Sequence, residues 1–185
     1  DNVISGAFAK AVDIDSGNRD NINQRNLIGT RVDSKVPAVP APAQCLRSFN
    51  FDPQNWYGGW GIAISGSNNK VLENRIAGLH ILQSPNDTPP LAMEIFGANH
   101  TVQDNVIGVD SAGSPVGVCG QGIKVSGSGT QILDNTIVRS RIGFEGIVPT
   151  AILASDSSPS FGQITVRRNI VESGPGSVYA FGPGI

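Results

Sequence analysis

The feature that most constrains the fold is a short phrase that recurs along the whole chain. In each copy an asparagine stands two residues before an aliphatic residue, and successive copies lie 24, 48, 31, 30 and 34 residues apart. Self-similarity of this kind, repeated along the whole chain, is typical of a solenoid, in which each repeat packs only on its neighbours. The asparagines of the phrase are Asn2, Asn26, Asn74, Asn105, Asn135 and Asn169.

A second phrase lies upstream of most copies and alternates apolar with polar residues, which is the period of a β-strand. Its copies are AVDIDSG at 11–17, GIAISGS at 61–67, AMEIFGA at 92–98, GIKVSGS at 122–128 and AILASDS at 151–157. The alternation predicts two inward stacks. One contains Val12, Ile62, Met93, Ile123 and Ile152, and the other Ile14, Ile64, Ile95, Val125 and Ala154.

From Asn26 onward, a further aliphatic residue stands three or four positions before each asparagine and marks another short strand. These residues are Ile22, Val71, Val102, Ile132 and Val166. Two or three short strands per turn of about 20–25 residues predict an all-β fold, a parallel β-helix of about five to six coils. Like residues of successive coils would then lie over one another, about 4.8 Å apart.

The recurring asparagines are predicted to form a ladder at a bend between strands. An asparagine tolerates left-handed backbone and bonds nearby main chain through its side chain. Stacked on another asparagine one coil away, its amide also donates to the neighbour's carbonyl, which satisfies polar groups that would otherwise be buried unpaired. We prefer this structural interpretation to a row of ligand-binding side chains.

Variable loops follow the asparagine phrase and are therefore expected on one side of the solenoid, where repeat proteins often carry their binding surface. The longest is a Pro-rich and aromatic-rich insertion at 31–60, which contains Trp56, Tyr57 and Trp60. Exposed Trp and Tyr rings stack on sugars or anchor protein interfaces, so these three are the candidate ligand-binding residues. The alternative is that they pack back on the flank of the coils.

The segments NLIGTRVDSKVPAVPAP and NVIGVDSAGSPVGVCGQGIKVSG resemble the coil unit of right-handed parallel β-helix repeat proteins of bacterial surfaces and secretions, within the pectate-lyase-like solenoid superfamily. The resemblance covers essentially the whole chain and is best over 105–127, whereas 31–60 departs from it. It implies a single right-handed domain over 1–185 with a structural or adhesive role, extracellular or at the cell surface. The catalytic motifs of the enzymes that share this fold are not found.

Both ends of the chain look like parts of coils. Residues 1–5 match the second half of a coil, and Gly184-Ile185 match the start of one, as at Gly61-Ile62. Open ends expose unpaired strand edges. We therefore expect a segment of a longer solenoid, or a protomer that associates head to tail with another copy.

The outward position between the two inward stacks offers candidate catalytic residues. Glu94 and Lys124 would lie one coil apart, and Asp13 two coils from Glu94. Paired carboxylates serve glycoside hydrolysis, and a lysine beside a carboxylate can serve proton abstraction next to a uronate. These residues support the alternative function of a polysaccharide lyase or glycoside hydrolase. The plainer interpretation is a surface ion pair worth less than about 1 kcal/mol.

A charged residue precedes most of the asparagines, and Glu73, Asp104 and Asp134 would stack as three like charges. A calcium ion prefers such clusters of oxygen ligands, so Ca²⁺ is the one cofactor considered, against the alternative of solvent-exposed acids. The two histidines, His80 and His100, have no partner at metal-ligand spacing, so no zinc or other metal site is expected.

Cys45 and Cys119 both lie in loops on the expected loop side. They form a disulfide if one loop leans toward the other, and otherwise remain two free thiols. The net charge of −2 argues against nucleic acid as a partner, and no apolar run approaches the ~20 residues of a membrane span. The remaining partners are a polysaccharide or surface glycan and further copies or coils of the solenoid.

Overall fold

The computed structural model describes residues 2–4, 10–29, 60–77, 79, 91–119, 121–138, 140–141, 150–155, 163–172 and 178–181. Every regular element in these residues is a β-strand. The first ten strands are β1 (Val3–Ile4), β2 (Lys10–Ile14), β3 (Ile22–Gln24), β4 (Leu27–Ile28), β5 (Trp60–Ile64), β6 (Lys70–Leu72), β7 (Arg75–Ile76), β8 (Leu91–Ala98), β9 (Thr101–Gln103) and β10 (Val106–Ile107). The others are β11 (Val118–Cys119), β12 (Gln121–Ser128), β13 (Gln131–Leu133), β14 (Thr136–Val138), β15 (Ser140–Arg141), β16 (Thr150–Ser155), β17 (Thr165–Arg167), β18 (Ile170–Glu172) and β19 (Val178–Phe181).

Three parallel sheets take their strands in strict rotation along the chain. The first sheet has the order β2-β5-β8-β12-β16-β19, the second β3-β6-β9-β13-β17, and the third β1-β4-β7-β10-β14-β18. Three consecutive strands, one in each sheet, make what we call a unit, such as β5-β6-β7. Strands β11 and β15 form a separate short parallel pair. The predicted all-β, parallel architecture is therefore confirmed.

Both predicted inward stacks of the first sheet are confirmed by its register. Val12, Ile62, Met93, Ile123 and Ile152 follow one another across neighbouring strands, and so do Ile14, Ile64, Ile95, Val125 and Ala154. All of these side chains are buried except the half-buried Val12 and Ile14. Aliphatic residues stacked on like residues of the next unit therefore form the core between the three sheets.

The second sheet corrects the prediction in the first unit. Val71, Val102, Ile132 and Val166 share an inward position as expected, but the residue in register with Val71 is Asn23, not Ile22. Ile22 pairs with Lys70 and is 62% exposed. Ile22 lies four residues before its asparagine rather than three, and a displacement of one residue moves a strand side chain to the opposite face.

The bend before the third sheet also differs from the prediction. The left-handed residue is not the recurring asparagine but the charged residue before it, with φ between +54° and +56° at Arg25, Glu73, Asp104, Asp134 and Arg168. A side chain that precedes the buried asparagine points to solvent, which explains why charge is accepted at this position. None of the recurring asparagines is among the positive-φ residues of the described segments.

Glycines of successive units stack on one another near the carboxyl ends of the strands of the first sheet. Gly66, Gly97 and Gly127 have φ of +104°, +119° and +152°. A Cβ atom built on Gly97 would lie 2.0 Å from the carbonyl oxygen of Gly66. Successive units therefore approach each other here by direct backbone contact, and only glycine fits.

Candidate functional site

The candidate catalytic residues lie on the outward face of the first sheet. Asp13, Ala63, Glu94, Lys124 and Leu153 are in register across five strands, as the alternation predicts. Lys124 Nζ lies 3.0 Å from Glu94 Oε1. Both side chains are partly covered, with 33% of Lys124 and 24% of Glu94 exposed. The structure therefore brings these two residues together.

Asp13 is not brought to Glu94. Ala63 occupies the strand between them, and Asp13 instead contacts Lys10 of its own strand, with Lys10 Nζ 2.9 Å and 3.0 Å from the two carboxylate oxygens. Each candidate carboxylate therefore has a lysine partner. This arrangement is two separate ion pairs and does not place two carboxylates on adjacent strands.

Two of the three stacked acids, Glu73 and Asp134, have side-chain partners. Arg168 donates from Nε and Nη2 to the two carboxylate oxygens of Asp134, at 2.6 Å and 2.7 Å. These hydrogen bonds, with the attraction between the charges, lower the pKa of Asp134 and raise that of Arg168. Gln24 Nε2 donates to Glu73 Oε1 at 2.9 Å.

In the segments that the structure describes, no group of three or more His, Cys, Asp or Glu side chains is placed to hold a metal ion. The calcium site considered at Glu73, Asp104 and Asp134 is therefore not supported. The same segments contain no helix long and apolar enough to cross a membrane.

The predicted loop sites lie largely outside the described residues. Trp56, Tyr57, Cys45 and His80 are all outside them, as is 31–59 as a whole. Two further candidates mark the borders of described segments. Trp60 begins β5 in register with Lys10, and Cys119 ends β11. The aromatic binding surface and the disulfide remain predictions.

The recurring asparagines form a continuous hydrogen-bonded column at the entry to the third sheet. Each Oδ1 accepts two bonds from the preceding asparagine, one from its backbone N–H and one from its Nδ2, at 2.9–3.0 Å. At the first position Asn2 Nδ2 donates to Asn26 Oδ1 at 2.9 Å. The second Nδ2 hydrogen of Asn105 reaches the carbonyl of Val71 at 2.8 Å. Buried amides are thus satisfied by other amides and by main chain.

A second polar column, not found from the sequence, lies at the entry to the second sheet. In it the side chain of one unit again accepts from the backbone N–H of the same position in the unit before. Asn21 N–H donates to Asn69 Oδ1 at 2.9 Å, Asn69 N–H to His100 Nδ1 at 3.2 Å, and His100 N–H to Thr130 Oγ1 at 3.4 Å. The residue types differ because only an acceptor at the right place is required. The left-handed residues Asp20, Asn68 and Asn99 just before them are the signal that marks this bend.

His100 is the one ionisable member of this second column. It is 1% exposed, its Nδ1 accepts from Asn69, and its Nε2 lies 3.2 Å from the carbonyl oxygen of Phe96. The neutral ring with its hydrogen on Nε2 satisfies both contacts. A second proton, on Nδ1, would face the hydrogen of the Asn69 backbone N–H. Burial lowers the pKa of His100, although the bond to the Phe96 carbonyl works in the opposite direction.

We expect the stability of the protein to fall as the pH is lowered from 7 to 5. The unfolded chain takes up a proton near the ordinary histidine value of 6.5, whereas folded His100 resists protonation. The contribution of His100 to the free energy of unfolding is therefore complete above pH 6.5. Below pH 6.5 this contribution decreases, by at most about 1.4 kcal/mol per pH unit. Urea denaturation at a series of pH values measures this slope.

The matched variant is His100→Asn, because asparagine already occupies the equivalent position in two other units, at Asn21 and Asn69. This variant keeps an acceptor but does not titrate, so its slope between pH 7 and 5 should be smaller than that of the wild type. His80 is present in both proteins and cancels. Equal slopes would show that His100 is not the group responsible.

Comparison of the chain with models of known protein families, with curated proteins and with solved structures gives no match. The function of this chain is therefore proposed from its own residues.

Proposed function

We propose that the chain is a right-handed parallel β-helix whose units are successive coils, and that it serves as an extracellular or cell-surface module with a structural or adhesive role. A right-handed path is what parallel crossover connections within one sheet almost always take. The order of the three sheets, in which each unit adds one strand to each sheet, supports the coil interpretation.

The observation that carries the structural role is the column of asparagine amides. Asn26, Asn74, Asn105 and Asn135 are all buried, and their side chains bond to the next unit rather than lining a cleft. Buried polar groups used in this way fix the register of the stack. The scaffold then presents the loops that follow the third sheet, and a glycan is the partner that the aromatic residues of 49–60 favour.

The alternative function, a polysaccharide-degrading enzyme, is favoured by one contact. Glu94 and Lys124 lie side by side on neighbouring strands and are both partly covered. A lyase or glycoside hydrolase would use this carboxylate and ammonium group at the outward face. Against that activity, Asp13 is held by Lys10 and does not reach Glu94.

Release of reducing ends from a panel of acidic and neutral polysaccharides tests the two functions. We expect no release from the wild-type protein and binding of at least one polymer in a parallel pull-down. We also expect Glu94→Gln to change the free energy of unfolding by less than about 1 kcal/mol, since it breaks a partly exposed ion pair. Asp13→Asn is the matched control, because it removes a carboxylate with a single lysine partner on the same face.

Cleavage of one polymer that is abolished by Glu94→Gln, with unchanged stability and with Asp13→Asn still active, would replace the structural role with the enzymatic one. Cleavage that survives Glu94→Gln would contradict both assignments. The structural proposal requires that neither substitution changes polymer binding.

A further inference from the structure

The second polar column contains one member that can change its charge. Asn69, His100 and Thr130 lie at the same position of three successive units, and all three side chains are buried. The amide and the hydroxyl do not titrate, whereas an imidazole takes up a proton between neutral and mildly acidic pH. His100 is thus the place at which acid can act on this column.

The neutral ring of His100 makes the same two contacts as the amide of Asn69. Asn69 Oδ1 accepts from the backbone N–H of Asn21 at 2.9 Å, and its Nδ2 donates to the carbonyl oxygen of Ser65, four residues earlier, at 3.1 Å. His100 Nδ1 accepts from the backbone N–H of Asn69 at 3.2 Å, and its Nε2 lies 3.2 Å from the carbonyl oxygen of Phe96, again four residues earlier. An asparagine would therefore supply both contacts, and what histidine adds is a response to pH.

Protonation of His100 removes the acceptor of one buried backbone group. With a proton on Nδ1 the ring no longer accepts from the N–H of Asn69, and two hydrogens face each other across the contact. Asn69 is 0% exposed, so water does not reach this N–H while the bend is closed. An unpaired buried amide and a charge removed from water both favour a state in which the bend opens and the ring is solvated.

The charges around His100 do not favour its protonation in the closed bend. The bend that carries it and the two bends packed against it span 96–101, 65–70 and 126–131. Lys70 is the one charged residue of these described ranges, and it is exposed. Glu94 and Lys124, on the strands that lead into two of the bends, contact each other at 3.0 Å on the outward face. Burial lowers the pKa of His100, so the closed bend keeps the ring neutral.

We propose that His100 is an acid-sensitive joint, at which protonation opens the contact between the bends 66–69 and 97–100 while the asparagine column of the same two units stays closed. That column has no titratable member, and the backbone N–H of Asn74 keeps Asn105 Oδ1 as its acceptor at 2.9 Å. A return to neutral pH restores the contact. The joint adds a regulation to the scaffold proposed above and rests on that proposal for its biological role, but its physical basis requires no ligand.

Amide hydrogen exchange of the full chain, followed by NMR at pH 7 and pH 5, tests the joint. Histidine in an open bend titrates near the ordinary value of 6.5. We therefore expect the opening equilibrium of the Asn69 N–H, corrected for the intrinsic exchange rate, to rise by up to about 30-fold between the two pH values. The N–H of Asn74, which bonds across the same two units, should rise less. Low urea concentrations should leave exchange at Asn69 unchanged, because a local opening exposes little surface.

Two variants identify the group responsible. His100→Asn keeps both contacts without titrating, and His100→Thr, the residue type found at Thr130, serves if the asparagine variant does not fold. Loss of the pH-dependent rise at Asn69 in the folded variant supports the joint. A rise that persists in the variant overturns it, as does exchange of the wild type that does not respond to pH. Equal rises at Asn69 and Asn74 with full urea dependence would show global unfolding and also overturn it. Exchange is measured without any polymer, so failure of the glycan contact is scored separately.

Discussion

Replacing Asn105 with alanine should lower the free energy of unfolding by about 4 kcal/mol. The substitution removes the acceptor for the backbone N–H and Nδ2 of Asn74 and the donor to the carbonyl of Val71 and to Asn135 Oδ1. These groups are buried between units, so water does not replace the lost partner. Urea denaturation followed by circular dichroism measures the change.

The matched control is Asn2→Ala, at the first position of the same column. Asn2 is exposed and its side chain donates one bond, to Asn26 Oδ1, so the expected loss is below about 1 kcal/mol. Asn105→Asp should be nearly as damaging as the alanine variant, because a carboxylate cannot donate to the Val71 carbonyl. A loss at Asn105 no larger than at Asn2 would show that the column contributes little to stability.

Gly97→Ala should cost about 3 kcal/mol or more. Alanine at this position adopts φ of +119°, and its Cβ would lie 2.0 Å from the carbonyl oxygen of Gly66. The contact is with backbone in the neighbouring unit, so no side-chain rotation relieves it. The two units must separate locally, which weakens the bonds on either side.

Gly113→Ala isolates the second of these effects. Gly113 also has a positive φ, +84°, but a Cβ there meets nothing within 4 Å. Its expected cost is that of left-handed backbone alone, about 1–2 kcal/mol. The difference between the two variants measures the steric clash between units, and equal losses in thermal or urea unfolding would contradict a tight backbone contact at Gly97.

Much of the fold could be predicted because its signals are local. Alternation along GIAISGS or GIKVSGS specifies a strand and its inward face, and the period specifies which residues stack. The parallel sheets and the inward stacks follow from those two facts. The pattern places Ile22 inward in error, because an aliphatic residue three or four positions before the asparagine fits it equally well, and the two spacings put the side chain on opposite faces. In the structure Asn23 takes the inward position, a buried polar side chain where the other units have an aliphatic one.

The bends were harder to predict because their rules involve backbone geometry. The asparagine phrase is conspicuous, but the residue that turns the chain is the variable charged one before it. The second polar column was missed for a related reason. Asn69, His100 and Thr130 share an acceptor position and no side-chain type, so no recurring letter marks them.

Among the candidate sites too, contacts that follow from strand register were predictable and other contacts were not. Glu94 and Lys124 were paired correctly from the register of the first sheet. The partner of Asp13 was missed because Lys10 is three residues away on the same strand, a spacing that does not share a face in an ideal strand. The contact between Arg75 Nη1 and the carbonyl oxygen of Asp110 joins residues 35 positions apart, and no recurring letter marks it.

The asparagine column also has a mechanical consequence. Strands pair along the direction in which units are stacked, so every bond between units lies roughly along the same direction. Under tension along the stack every interface between units carries the same force, and the interface with the weakest contacts separates first, whereas tension across the stack must shear all strands of a sheet together. We therefore expect a protein built in this way to lengthen stepwise under axial load, one unit after another.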